Sequence, residues 1–264
     1  AFDPQGFTLR SPYLRVSGEE GEIGGDFLIR LLADADEEDY MDLRVGLRDG
    51  DARFTGKYLP SLLSDFSDNL EHWLNTAIRA GQINQGYFQY QGSLNKGAAP
   101  AARSISLYFD VQAAELEYQP GWPALTEAAG EVLIEDSGVR IDIERGLILN
   151  TSVASAYAEI AHQGGQPPEL QLHAELQSSV ADGLHILQKT PLSKTADSFA
   201  NWSGQGQLPA TLDALIPLHA GQSPEVNLQL HAHDIELNIP DINIELRQLR
   251  GEFVFNSKQG LSAK

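Results

Sequence analysis

The sequence predicts a mainly β protein made of antiparallel strands, with one or two α-helices capping the sheet. Three observations carry this. Apolar and polar residues alternate with period two along most of the chain, the mark of strands with one greasy and one wet face, which suits antiparallel sheets. Only one long stretch has helical periodicity. And one pattern occurs twice: Glu115-Leu116-Glu117-Tyr118 precedes Gly130-Glu131-Val132-Leu133-Ile134 and Gly138, and Asp234-Ile235-Glu236-Leu237 precedes Gly251-Glu252-Phe253-Val254-Phe255 and Gly260. Gly25-Asp26-Phe27-Leu28-Ile29 is a weaker third copy. Such self-similarity marks a repetitive architecture.

In chain order, strands fill residues 1–57, with Leu43, Val45 and Leu47 alternating. Arg48-Asp49-Gly50-Asp51 has the chemistry of a hairpin loop. A helix is predicted within 58–81: from Ser61 to Ala80, Leu62, Leu63, Phe66, Leu70, Trp73, Leu74, Ala77 and Ile78 form one stripe. Pro60 and Ser61 suit its start and Gly81 its end. Strands with the first repeat copy occupy 82–178, including Ile105-x-Leu107-x-Phe109-x-Val111, Ile141-x-Ile143 and Leu170-x-Leu172-x-Ala174-x-Leu176. Asp136-Ser137-Gly138 reads as a hairpin turn. Short helices are expected in 179–203: Ser179 to Thr190 places Val180, Leu184 and Leu187 on one face, Pro191 ends it, and Asp197 to Trp202 adds a turn or two. Strands with the second copy fill 204–264, among them Val226-x-Leu228-x-Leu230 and Ile242-x-Ile244-x-Leu246, with a tight turn at Pro240-Asp241. The apolar parity slips between Ala232 and Ile235, which predicts a bulge or turn at His233-Asp234.

Composition narrows the function. The 264 residues carry 18 basic and 37 acidic side chains, a net charge of −19. Nucleic acid is a poor partner for such a chain, because binding it rests on neutralising phosphates. An anionic bilayer surface repels it as well. With no cysteine there are no disulfides, thiolate metal sites or cysteine nucleophiles. No apolar run approaches the roughly 20 residues of a membrane helix. The chain starts at Ala1 without a signal peptide, which suggests a piece of a longer protein.

No catalytic constellation emerges: there is no P-loop, HExxH, GxSxG or dinucleotide fingerprint. His231-x-His233 beside Asp234 offers two metal ligands without a third, and reads as the wet side of a strand. Asp34-x-Asp36-Glu37-Glu38-Asp39-x-x-Asp42 lacks EF-hand spacing and its glycine, and reads as a solvated loop. Glu115 and Glu117 lie on one solvated strand face, where nothing raises a carboxyl pKa for glycosidase work. A carbohydrate-binding module would show aromatic platforms on an exposed face; Trp73, Trp122 and Trp202 lie instead beside predicted helices and a Pro-rich turn. No cofactor is expected. What remains is the apolar face, which alternation alone fits equally to a closed β-sandwich core or to an open curved sheet.

The order of further features is specific. Tyr58-Leu59-Pro60 enters the helix with Trp73-Leu74 and Ala77-Ile78; Ala80-Gly81-Gln82-Ile83, Gly92-Ser93-Leu94 and Leu116-Glu117-Tyr118-Gln119-Pro120-Gly121-Trp122-Pro123-Ala124-Leu125 follow. Then come Thr190-Pro191-Leu192 and Leu249-Arg250-Gly251-Glu252-Phe253-Val254-Phe255. From about Tyr58 onward this succession resembles the central region of the YhdP group of the AsmA-like family, large envelope proteins of Gram-negative bacteria. The resemblance implies an elongated, curved, taco-shaped antiparallel sheet with a hydrophobic groove. It implies a non-enzymatic, periplasmic segment of an inner-membrane-anchored bridge that moves phospholipids between inner and outer membranes and supports the outer-membrane barrier. Envelope proteins are possible partners, and a closed sandwich assembly module is the alternative. By parity, the groove-facing residues are Leu116, Tyr118, Val132, Ile134, Ile141, Ile143, Leu170, Leu172, Leu228, Leu230, Ile235, Leu237, Ile242, Ile244, Phe253 and Phe255.

Overall fold

The computed structural model describes residues 2–3, 6–34, 37–54, 76–95, 97–136, 138–161, 168–194, 197–218 and 222–263. Long strands dominate: β1 (Phe2–Asp3), β2 (Gly6–Gly18), β3 (Gly21–Leu32), β4 (Tyr40–Asp51), β5 (Ile78–Ser93), β6 (Arg103–Leu116), β7 (Leu125–Glu135) and β8 (Gly138–Ile148). They continue as β9 (Thr151–Ile160), β10 (Glu169–Gln177), β11 (Ser203–Gln205), β12 (Ala210–Pro217), β13 (Glu225–Ile239), β14 (Ile244–Asn256) and β15 (Gly260–Ala263). One α-helix, α1 (Val180–Lys189), is present among the described residues.

All strands join one antiparallel sheet in chain order from β1 to β15, except that β11 pairs with β13 beside the path. The first and last strands do not pair with each other, so the sheet is open. At the ordinary spacing of about 4.8 Å, the fourteen strands of the path span roughly 60 Å. No second sheet packs on the first among the described residues, which removes the closed sandwich. The accessible surface is 16389 Å², well above the roughly 11,000 Å² that a compact chain of this size exposes.

Register turns the sequence alternation into continuous rows. Val45, Phe88, Leu107, Ile134, Val139, Ile160, Leu170 and Ile216 oppose one another strand by strand from β4 to β12. The next row on the same face runs Phe109, Val132, Ile141, Ala158, Leu172, Ala214 and Val226. A third runs Val111, Gly130, Ile143, Ala156, Ala174, Leu212, Leu228, Phe255 and Leu261. The opposite face carries polar rows such as Asp26, Arg44, Gln89 and Ser106, or Asp142, Tyr157, His173, Asp213 and Asn227.

Helix α1 forms where its caps dictate. Ser179 Oγ accepts from Asp182 N at 3.1 Å at the start, an N-cap bond that satisfies an orphan donor. Thr190 Oγ1 donates to the Ile186 carbonyl at 2.7 Å at the end, and Pro191 opens the next 3-10 turn. A further 3-10 turn, Asp197–Phe199, follows as expected.

Several expectations need correction. Arg48 to Asp51 is no hairpin loop but the end of β4: Arg48 pairs with Gln85, Gly50 with Ile83 and Asp51 with Gln82 in unbroken register, although Asp49 holds φ +50°. Of the long helix predicted to end at Gly81, residues 61–75 lie outside the described residues and Thr76 and Ala77 are helical, while Ile78 to Gly81 are strand, because β6 offers Leu116 and Glu115 as partners to Ile78 and Ala80. Ile242 is not in a strand; it closes the 3-10 turn Pro240–Ile242, and β14 starts two residues later after left-handed Asn243.

The bulge at His233-Asp234 is present: pairing jumps between Ala232 and Ile235, and Asp234 has φ +55°. It also realigns the repeat. Left-handed Ala113 and Glu127 precede Gly130 in the first copy; left-handed Asp234 and Gln248 precede Gly251 at the same spacings in the second. The two copies therefore match bulge to bulge, with Glu115-Leu116 equivalent to Glu236-Leu237, two residues away from the alignment that the acid–apolar pattern suggests. The repeat encodes a bulged hairpin, β6–β7 and β13–β14.

Candidate functional site: an apolar face and its two rims

The apolar face is partly packed and partly open. Near β4–β7 it is a core: Met41, Tyr90, Ile105, Leu107 and Ile134 are buried, with Phe88, Phe109, Val132 and Val139 packed around them. Burial pushes the Tyr90 phenol pKa up and its hydroxyl donates to the Ser93 carbonyl. A second cluster joins Leu125, Ala128, Val153, Ala156 and Ala174 to Leu116, Tyr118, Ile143, Ile148, Leu176 and Leu212. The Tyr118 phenol is also pushed up, by burial. A third cluster forms where α1 lies on β13: Val180 and Leu184 meet Ala232 and Ile235, flanked by Trp202, Leu208, Leu237, Leu249 and Phe253.

Between and beyond these clusters the face is not sealed. Ile141, Leu172, Leu228 and Leu230 are half-buried although they lie inside strands, as is Leu170 near the start of β10. In β14 and β15, Ile244, Leu246, Phe255 and Leu261 are exposed, as are Leu9, Leu14 and Val16 in β2. Small residues floor the middle: Ala156 and Ala158 in β9, Ala174 in β10, Ala210 and Ala214 in β12.

Eight of the groove residues expected from the sequence sit in these apolar rows, Val132, Ile134, Ile141, Ile143, Leu170, Leu172, Leu228 and Phe255, and Leu230 and Phe253 sit in the next row on the same face, with Leu176 and Ala210. Leu116 ends β6 and Tyr118 follows it, both packed on the second cluster. Ile235 and Leu237 lie beyond the bulge beside α1, Ile235 fully buried. Ile244 opens β14, exposed, and Ile242 stands off the sheet, 62% exposed. Sequence parity missed the β3–β6 share of the face, such as Phe27, Ile29, Met41 and Phe88, and the alanines, whose small side chains give little hydropathy contrast.

The two rims of the sheet differ. One carries the end of β4 with Ala52–Phe54, the start of β5, the connection 117–124, and α1 with the described residues between β10 and β12. Bulges crowd toward it in β5, β6, β7, β13 and β14, bending the strands there. Helix α1 is pinned at this rim by a buried polar network. The buried Asp182 carboxylate accepts from Thr151 Oγ1 at 3.1 Å and Asn150 Nδ2 at 3.2 Å, both from the β8–β9 turn, and Thr151 Oγ1 lies 2.9 Å from Ser178 Oγ. Gln188 Nε2 donates to the carbonyls of Phe199 and Trp202. The loop Pro120–Pro123 turns at left-handed Gly121 against the Pro191 ring. The opposite rim carries loops and, among the described residues, one 3-10 turn, Pro100–Ala102.

The polar motifs stay apart from any site. His231 lies 3.9 Å from Glu252 and His233 3.5 Å from Asp234, so the two rings face different carboxylates. Of the acidic stretch, Asp34, Glu37, Glu38 and Asp39 lie between β3 and β4, where Asp39 Oδ1 accepts from Leu32 N, Asp42 lies in β4, and Asp36 is outside the described residues. Glu117 pairs with Arg79 at 2.6 Å. No group of three or more His, Asp or Glu among the described residues is placed to hold a metal. No described helix is long and apolar enough to cross a membrane.

Comparison with known families gives one match: residues 2–264 match the family described as YhdP protein. The match includes the first 57 residues, where sequence motifs were only generic. No curated protein and no solved structure matches the chain.

Proposed function

The chain belongs to the YhdP family, and on that premise we propose that its apolar face holds phospholipid acyl chains as they pass between the inner and outer membranes, in the periplasm. The single observation that carries the reading is the set of unbroken apolar rows on one face of an open sheet, with mid-strand leucines and isoleucines left half-buried. Family membership supports a lipid-transport role of the AsmA-like kind. Each methylene sheltered from water gains about 0.8 kcal/mol. Seven residues of strand, as from Val226 to Ala232, span about 23 Å, close to an extended acyl chain. Head groups stay in water at the rim, which suits a chain with net charge −19. The chain acts as a passive surface and catalyses no reaction; a gradient or another machine supplies the drive. Its partners are phospholipids, with the two membranes reached through flanking segments.

Native mass spectrometry and lipid extraction of the purified protein test this. Co-purifying phospholipid, or saturable uptake of a fluorescent phospholipid, is the expected result. A protein that is rigorously lipid-free and takes up none contradicts it.

A further inference from the structure

The polar face carries a cleft of about 540 Å³ over β2–β5, on the opposite side of the sheet from the apolar rows. Two glycines make it. Arg15, Gly24, Gly46 and Tyr87 oppose one another across β2, β3, β4 and β5 on this face, so the two middle strands supply no side chain there. The walls are aromatic. The bulge in β2 between Ser11 and Leu14 throws Tyr13 over Gly24, where a Cβ would meet its hydroxyl at 2.5 Å. Over Gly46 the space is empty: a Cβ there would meet nothing nearer than 3.8 Å, and the Tyr87 ring stands at 4.0 Å. Tyr13 is 65% and Tyr87 53% exposed, and Tyr108 continues the wall, 6.1 Å from Tyr87 between ring centroids.

Planar hydrogen-bonding groups rim the floor. Arg44 reaches Asp26 at 3.1 Å and Asp42 at 3.7 Å, Arg15 pairs with Glu22, and Gln89 lies beside them. Arg48, also lining the cleft, is exposed and has no ionic or hydrogen-bonded partner among the described residues. A site with flat exposed aromatics beside an open floor, ringed by guanidinium, carboxylate and amide groups, matches one ligand chemistry well. A pyranose ring presents an apolar C–H face to an aromatic and a rim of hydroxyls to planar polar groups. The unpaired Arg48 adds a preference for negative charge, in a protein whose surface elsewhere repels it. We propose that this cleft binds an acidic saccharide, a pyranose chain bearing carboxylates.

The test is calorimetric or NMR titration of the protein with trigalacturonate and, in parallel, with uncharged chitotriose. Trigalacturonate should bind saturably and chitotriose about tenfold more weakly. Tyr87→Ala and Gly46→Val, which remove the wall and fill the floor, should each weaken binding at least about tenfold. Gly46 has no positive φ and open space above it, so Gly46→Val folds. Arg48→Gln should weaken the charged ligand and leave the uncharged one unchanged. Tyr157→Ala, on the same face but outside the cleft, should change nothing. No saturable binding overturns the proposal, as does equal affinity for chitotriose, binding that survives Tyr87→Ala and Gly46→Val, or an equal loss in Tyr157→Ala.

Discussion

The two rims of this sheet show how one sequence pattern yields two kinds of edge. Toward the loop rim the strands run in plain register, as where Val139 to Asp142 pair residue for residue with β7 and β9. Toward the helix rim strands bulge at Ala113, Glu127 and Asp234, and α1 lies on the face. Burial does not divide along the rims: near the loop rim Met41, Ile105, Leu107 and Ile134 are buried while Leu170 is half-buried, and near the helix rim Leu125, Val153 and Ile235 are buried while Val16 and Ile244 are exposed. Simple alternation thus builds both a packed core over β4–β7 and the open stretches beside it, and breaks in alternation, together with a capped helix, shape the rim where α1 lies.

The largest expected effect separates packed face from open face. Leu107→Asp, at a position 2% exposed, leaves a carboxylate buried without a partner and should cost more than about 3 kcal/mol. Thermal unfolding checks it. Leu172→Asp, on the same face but half-buried, should leave the protein folded and abolish lipid uptake. Equal unfolding of both variants would erase the distinction between core and groove.

Next comes the helix rim. Asp182→Ala removes the acceptor of Thr151 and Asn150 and should destabilise α1 by about 2 kcal/mol. Amide hydrogen exchange should show Val180 to Lys189 losing protection while β7 keeps it. Uniform loss across the sheet would mean that the helix is integral to the fold rather than a cover pinned upon it.

Strain at the bulges is smaller. Ala113 holds φ +48°, a conformation costing an alanine about 1–2 kcal/mol, part of which glycine returns as chain entropy. Ala113→Gly should raise stability by up to about 1 kcal/mol; a fall would show that the methyl packs.

Smallest is an acid effect. Hydrogen bonding to Arg53 lowers the Asp51 pKa, and Arg140 does the same for Asp142. A carboxylate with a depressed folded pKa contributes stability that is present above its unfolded value, near 3.9, and lost as pH falls through the folded value. Both pairs are solvent-screened, so Asp51→Asn and Asp142→Asn should barely move the melting temperature at pH 7, and should flatten its decline below pH 4.

Much of this was legible in the residues. Helix α1 was marked by Ser179, its apolar stripe and Pro191, since capping is local chemistry. The bulge at Asp234 was visible because flanking Ala232 and Ile235 sit at broken parity. Asp49-Gly50 was misread because an Asp-Gly pair with a left-handed Asp suits a hairpin turn but is also accommodated inside a strand, and only the pairing of Gly50 with Ile83 decides. The floor of the face was hidden for another reason. Ala156, Ala158, Ala174 and Ala214 alternate with polar neighbours but carry too little apolar surface to stand out. Whether a second sheet covered the face was unreadable as well, because sandwich and open sheet demand the same alternation.

The most direct measurement is photo-crosslinking in cells with a benzophenone amino acid placed at Leu172 and, one residue away on the opposite face, at Gln171. Adducts of phospholipid mass at Leu172 and none at Gln171 are the predicted result. No lipid adduct at Leu172, or equal labelling of both positions, would contradict an acyl-chain groove on the apolar face.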